Sequence, residues 1–162
     1  MTAHKLFKLW FEDPLPKLES SPENAFLAFM ASFALFERFI KSKLKKDTGS
    51  ATKDEFEAEA TRVLSLTDPN LFPQFWDMYR NGIAHFLQPK LLKKDGLRLA
   101  WEIDANFGEV PEYFYRKTKN DWVIRISPWK WSKFTLALWK TRPDVLDYLA
   151  QFPFGEIYEE EA

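Results

Sequence analysis

The chain of 162 residues carries 23 Lys and Arg against 24 Asp and Glu, a net charge of −1, so no overall basic field marks it as a general polyanion binder. Its 46% hydrophobic and 17% aromatic content excludes a disordered chain, because a domain of this length can then bury enough apolar surface to offset the entropy of ordering. The absence of cysteine and the presence of only His4 and His85 exclude disulfides, thiol nucleophiles and Cys- or His-rich metal centres; no cofactor is expected.

The first 21 residues read as a short segment packed by Leu6, Leu9, Trp10 and Phe11, followed by an irregular, proline-punctuated loop. Ser20, Ser21 and Pro22 then punctuate the start of a long helix, predicted from Pro22 to Lys46. Phe26, Phe29, Met30, Phe33, Phe36 and Ile40 form one apolar stripe at helical spacing, and Leu27, Ala31 and Leu35 make the other side apolar too. Its first turns therefore require cover on more than one side, from the domain or from a second subunit. The longest apolar run here, AFLAFMASFALF, is 12 residues long, shorter than the ~18 that suggest a membrane span. With no signal-peptide pattern at the N-terminus, the expectation is a cytoplasmic protein with no membrane partner.

A second helix is predicted from Lys53 to about Ser65, with Phe56, Ala60, Val63 and Leu64 inward. A third runs from Pro73 to about Leu87 on an apolar line of Phe75, Trp76, Tyr79, Ile83 and Phe86, and Pro89 stops it. The period then changes. In GLRLAWEID, Leu97, Leu99, Trp101 and Ile103 alternate with Arg98, Ala100, Glu102 and Asp104, as in a half-buried strand, and EYFYRKTKNDWVIRIS supplies two more strands around a polar turn. Ser127 and Pro128 open a helix through Trp131, Phe134, Leu138 and Trp139, and Pro143 opens another through Val145, Leu146 and Leu149. The fold class is α+β, mainly α, in one domain. Long helices occupy 20–90, a small antiparallel sheet 96–127, C-terminal helices 128–151 and an acidic tail 152–162.

There is no Gly-rich phosphate loop, Gly-x-Ser-x-Gly elbow or His-Glu-x-x-His pair. The chemistry-bearing stretch is YRNGIAHFLQPK, residues 79 to 90, at the C-terminal half of the third helix. On a regular helix Asn81 and His85 share one face, and Arg80 lies about 100° round from Asn81. Arg80 offers a rigid fork of donors for a phosphate, His85 exchanges a proton near neutral pH, and Asn81 can orient the imidazole or a substrate hydroxyl. Such a trio suits RNA cleavage without a metal, the 2′-hydroxyl attacking its own phosphate. Spacing alone also fits an Arg and a His that satisfy helix-end carbonyls and the dipole. Gly82, costly within a helix, lets another backbone or a ligand come close.

The long helix containing ALFERFIK, followed by the helix bearing YRNGIAH, resembles the HEPN superfamily. Arg80, Asn81 and His85 match its motif of an arginine, a polar residue and a histidine, with four residues between Arg80 and His85. The resemblance covers residues 20 to 90 and implies a core of long antiparallel helices that homodimerises and sets two motifs beside one another. Catalytic members are metal-independent ribonucleases, often toxins or defence components; others are RNA- or protein-binding modules. In systems with a nucleotidyltransferase antitoxin, a tyrosine two places after the histidine is modified. Leu87 stands there, so control by an antitoxin or other regulatory protein would take another form.

Glu37 shares the apolar stripe of the long helix, where an unpaired carboxylate is expensive; it is expected either to pair with Arg80 or to form an exposed pair with Lys41. Lys90, Lys93 and Lys94 follow the motif and either guide a phosphate backbone or form a solvated loop. SPWKWSKF interleaves Trp129 and Trp131 with Lys130 and Lys133, a base-stacking surface or part of the core. The acidic tail either solubilises the chain or masks a basic groove. His4, near the chain end, reads as incidental.

Overall fold

Aromatic residues in the first half of the chain decide how its helices assemble. The computed structural model describes residues 3–44 and 51–142. The expected helix end at Lys46, the second C-terminal helix from Pro143 and the acidic tail lie outside the described residues.

Ahead of the long helix, α1 (Ala3–Phe7) runs into a π-helical turn, Lys8–Glu12, and then into 3-10 turns at Leu15–Ser20 and Pro22–Asn24. The expected irregular loop is thus a set of short helical turns, which proline favours by fixing φ near the helical value. Leu6, Phe7 and Leu15 are buried, whereas Leu9, expected to pack, is 54% exposed. The long helix α2 (Ala25–Lys43) begins three residues later than predicted, because Ser21 spends its hydroxyl on Glu23 and Asn24 takes the cap position. Phe29, Phe33, Phe36 and Ile40 point inward, but Met30 and Leu27 are exposed.

Helix α3 (Lys53–Val63) starts at a capping box: the Thr52 hydroxyl accepts from the Glu55 N–H, and the Glu55 carboxylate accepts from the Thr52 N–H. Residues 71–86 are helical throughout, as α4 (Leu71–Phe75), a π-helical segment (Trp76–Asn81) and α5 (Gly82–Phe86). This rod lies antiparallel to α2, with Phe36 against Phe72 at 6.0 Å, Phe33 against Phe75 at 5.5 Å and Phe29 against Tyr79 at 5.5 Å. It ends at Leu87, whose φ of 59° reverses the chain, before Pro89 is reached. Phe86, expected on the apolar line, is 63% exposed as a result.

Four strands follow: β1 (Leu92–Lys94), β2 (Leu97–Ile103), β3 (Glu112–Arg116) and β4 (Asp121–Ile126), in the order β1-β2-β4-β3. Asp95 and Gly96, with φ of 53° and 77°, close a two-residue hairpin from β1 to β2. A second hairpin joins β3 to β4. The hairpins meet with β2 parallel to β4, so the sheet is mixed rather than antiparallel as predicted. Alternation in a strand defines its buried face but not its neighbour or direction. Leu99, Ile124 and Ile126 belong to the core, and the parallel register puts them on one face. Tyr79 pins that seam from the helical side: its hydroxyl lies 2.7 Å from the Ile124 carbonyl and 3.1 Å from that of Glu102, and accepts from the Glu102 N–H at 3.2 Å.

Helix α6 (Pro128–Thr141) starts as its sequence predicts, with the Ser127 hydroxyl accepting from the Lys130 N–H and Pro128 in the first turn. It packs on α2, and the Trp139 indole N–H donates to the Leu35 carbonyl at 3.1 Å. Trp129 is 8% exposed and Trp131 fully buried, so the tryptophans of SPWKWSKF belong to the core and do not form a base-stacking surface. Among the described residues no helix is long and apolar enough to cross a membrane.

Candidate functional site

Arg80 and Asn81 close the π-helical segment, a helix type that is rare and frequent at functional sites. The Gly82 N–H reaches back to the carbonyls of Asp77 and Tyr79, and the Met78 carbonyl accepts from the Lys90 N–H at 2.8 Å. The chain beyond Leu87 therefore folds back onto the helix at Gly82. A Cβ there would lie 2.7 Å from the Gln88 carbonyl oxygen and the Lys90 nitrogen, and 2.9 Å from the Pro89 Cα. Of the two uses left open for this glycine, the one it serves is approach of its own backbone.

The Arg80 guanidinium donates to Glu37 at 3.1 Å and to the Asn81 side-chain oxygen at 3.2 Å, and sits 5.7 Å from the centre of the Trp76 ring. Its side chain remains 34% exposed. Glu37 also accepts from Lys41 at 2.7 Å, so both contacts weighed for it occur together. The Asn81 amide donates to Asp77 at 3.2 Å, and Lys90 donates to the same carboxylate oxygen at 2.7 Å. Burial pushes the Asp77 carboxyl up, but the hydrogen bonds from Lys90 and Asn81 and the lysine charge outweigh it and leave the group below its ordinary range. Lys41, Glu37, Arg80, Asn81, Asp77 and Lys90 thus form one polar chain along the surface.

His85 stands apart from it. The ring is exposed in the last turn of α5, touches Phe86 edge-on at 6.5 Å between ring centres, and makes no hydrogen bond to Arg80 or Asn81. The expectation that Asn81 orients the imidazole is corrected. Side chains on a helix lean toward its N-terminus, and Asn81 leans onto Asp77 one turn earlier.

The lysines also divide. Lys90 is held by Asp77 and lies 5.7 Å from the Phe86 ring centre. Lys94 is in β1, not in a loop; its ammonium lies 4.2 Å from the Tyr113 ring centre and 5.4 Å from that of Trp122, and its side chain is 15% exposed. It is therefore engaged in packing the sheet rather than open to a phosphate. Lys93, also in β1, is exposed and has no ion pair among the described residues. Trp76 and Asp77 complete the site and were not anticipated as members, although the i, i+4 spacing of Asp77 to Asn81 carried a signal.

Beyond His85 an open depression of about 370 Å³ is lined by Phe86, Gln88, Pro89, Lys90 and Leu91, beside the 77% exposed Leu87. Among the described residues no group of three or more His, Cys, Asp or Glu side chains is placed to hold a metal ion. Comparison with protein-family models, with curated proteins and with solved structures gives no match for this chain.

Proposed function

We propose that the protein is a metal-independent endoribonuclease of the HEPN type. The carrying observation is that one short helical rod presents an exposed imidazole and a partly exposed, pre-oriented guanidinium to solvent, five residues apart. Glu37, Asn81 and Trp76 hold Arg80 on three sides, so the fork is fixed before a phosphate arrives. In this reading the RNA 2′-hydroxyl attacks the adjacent phosphorus while its proton passes to a base, and the bond to the 5′-oxygen breaks as that oxygen gains a proton. His85 serves one of these transfers, Arg80 stabilises the charge on the phosphoryl oxygens, and Asn81 positions Arg80. DNA, which lacks the 2′-hydroxyl, is spared. A homodimer sets a second motif opposite the first, and the exposed Phe86, Leu87 and Leu91 supply apolar surface beside it. The setting consistent with such an enzyme is a toxin or defence system restrained by an antitoxin or other regulatory protein.

A non-catalytic helical dimer that binds RNA or protein is the second reading. It is favoured by the internal pairing of Arg80 and Asn81, which leaves His85 without a hydrogen-bonding partner among the described residues. RNA cleavage by the purified protein in EDTA, with product-end analysis, separates the two. Cyclic 2′,3′-phosphate ends from wild type and none from His85→Ala support the enzyme. No cleavage of a broad RNA set by a folded wild-type dimer moves the reading to the binding module.

A further inference from the structure

The sheet carries a cup that the motif does not explain. It has a volume of about 290 Å³ and is lined by Gln88, Pro89 and Leu91 together with Arg98, Arg116 and Lys119. These cations are not equivalent. Arg116 forms a two-point pair with the buried Asp121, at 2.8 and 2.6 Å, and has Glu102 at 3.8 Å. Its charge is spent within the protein. Arg98 and Lys119 are exposed and make no ion pair among the described residues, so they are the cations of the cup most open to a ligand. Their fields, with that of Arg116, converge on Asp121, which is held below the ordinary carboxylate range first by its hydrogen bonds from Arg116 and then by the three charges. Two exposed cations that make no ion pair among the described residues suit the phosphate oxygens of a nucleic-acid backbone.

Position adds the second argument. Gln88, Pro89 and Leu91 line both this cup and the depression that includes Phe86, the residue after His85, so the two share a wall that begins three residues beyond the histidine in sequence. A strand whose scissile phosphate lies at His85 can cross that wall and place a neighbouring phosphate in the cup. We infer that Arg98 and Lys119 form a backbone subsite for an RNA strand leading to or from the cleavage position. The inference rests on the ribonuclease reading for the identity of the strand.

The test is fluorescence anisotropy of a labelled single-stranded RNA with the full chain in EDTA, on a His85→Ala background so that nothing is cut. The pair Arg98→Glu/Lys119→Glu is compared with the charge-matched pair Lys8→Glu/Lys17→Glu, exposed residues of the N-terminal segment. All four positions are exposed, and unchanged melting verifies that the variants fold. The expected result is at least a tenfold loss of affinity for the sheet pair alone, with the salt slope shallower by about 1.4, or ~0.7 for each of two lost phosphate contacts. Equal affinity of the two pairs, or no RNA binding at all by the His85→Ala parent, overturns the subsite. Cleavage is measured separately with His85 intact. A wild type that cuts, beside a sheet pair that binds and cuts equally well, removes the subsite and leaves the ribonuclease reading. Loss of binding in the sheet pair, with no cleavage by wild type, does the reverse.

Discussion

Arg80 and His85 lie five residues apart on one helical rod and inhabit opposite environments. Arg80 belongs to a chain of paired charges that ties the rod to α2 through Glu37, and its guanidinium rests on Trp76. His85 occupies the last helical turn, exposed beside Phe86, after which Leu87 reverses the chain. The arginine end is thus built into the fold, while the histidine end is presented by it. On the proposed ribonuclease reading, a substitution at one end disturbs structure and chemistry together and at the other chemistry alone.

His85→Ala breaks the comparison most sharply. On the ribonuclease reading proposed above, loss of a general acid or base is expected to lower cleavage by ~10²–10⁴-fold, while an exposed side chain with no hydrogen bond among the described residues leaves stability within ~0.5 kcal/mol. A destabilised His85→Ala protein would mean that the imidazole is structural. Gly82→Ala tests the backbone between the two ends: the added Cβ meets backbone atoms at 2.7 Å that no side-chain rotation relieves. A loss of ~1–3 kcal/mol in urea unfolding is expected, and wild-type stability would show that residues 88–90 do not press on the helix.

Tyr79→Phe probes the anchor of the arginine end. It leaves the Ile124 carbonyl and the Glu102 N–H without the hydroxyl, for a cost of ~1–3 kcal/mol. An unchanged denaturation midpoint would remove the tyrosine as the pin of the β2–β4 seam. Glu37→Gln is expected to cost less than ~1 kcal/mol, because Glu37, Arg80 and Lys41 all retain solvent contact. A larger loss would make the pair a structural keystone.

The smallest effect concerns pH. Asp77 and Asp121 have folded-state carboxyls below the ordinary range, so their contribution is present above the unfolded pKa of ~3.9 and disappears as pH falls through the lower folded values. Asp77→Asn should flatten the fall in stability below about pH 4, relative to wild type. Identical acid unfolding curves would show that the Lys90 and Asn81 bonds add nothing.

Much of the helical half was legible in the sequence. The stripe Phe29, Phe33, Phe36 and Ile40 marked the buried face of α2, and Ser127-Pro128 marked the start of α6, because helix period and capping are local. The exposure of Met30 and Phe86 was not legible, since an apolar residue at the right spacing is buried only if a neighbour covers it. The π-helical segment at Trp76–Asn81 leaves no distinct mark in residue type either. At the site, the types and spacing of Arg80, Asn81 and His85 were visible, and so was the reason for Glu37 to seek a cation. The turn of Asn81 toward Asp77 was not, because choosing among several polar neighbours depends on where they stand.

The sequence by itself determined the α+β class, the order of the main helices and of three of the four strands, most of the core and the residue types at the candidate site, but not strand β1 or the short N-terminal helical turns. Hydrophobic period, caps and turn residues act over a few positions and are written directly in the chain. Tertiary structure decided the parallel joining of β2 to β4, the neutralisation of Lys90 and Arg116, the packing of Lys94 between aromatic rings, and the isolation of His85. Each depends on a contact between residues distant in sequence or on a backbone reversal. Burial and charge pairing are properties of neighbourhoods that only the folded chain creates.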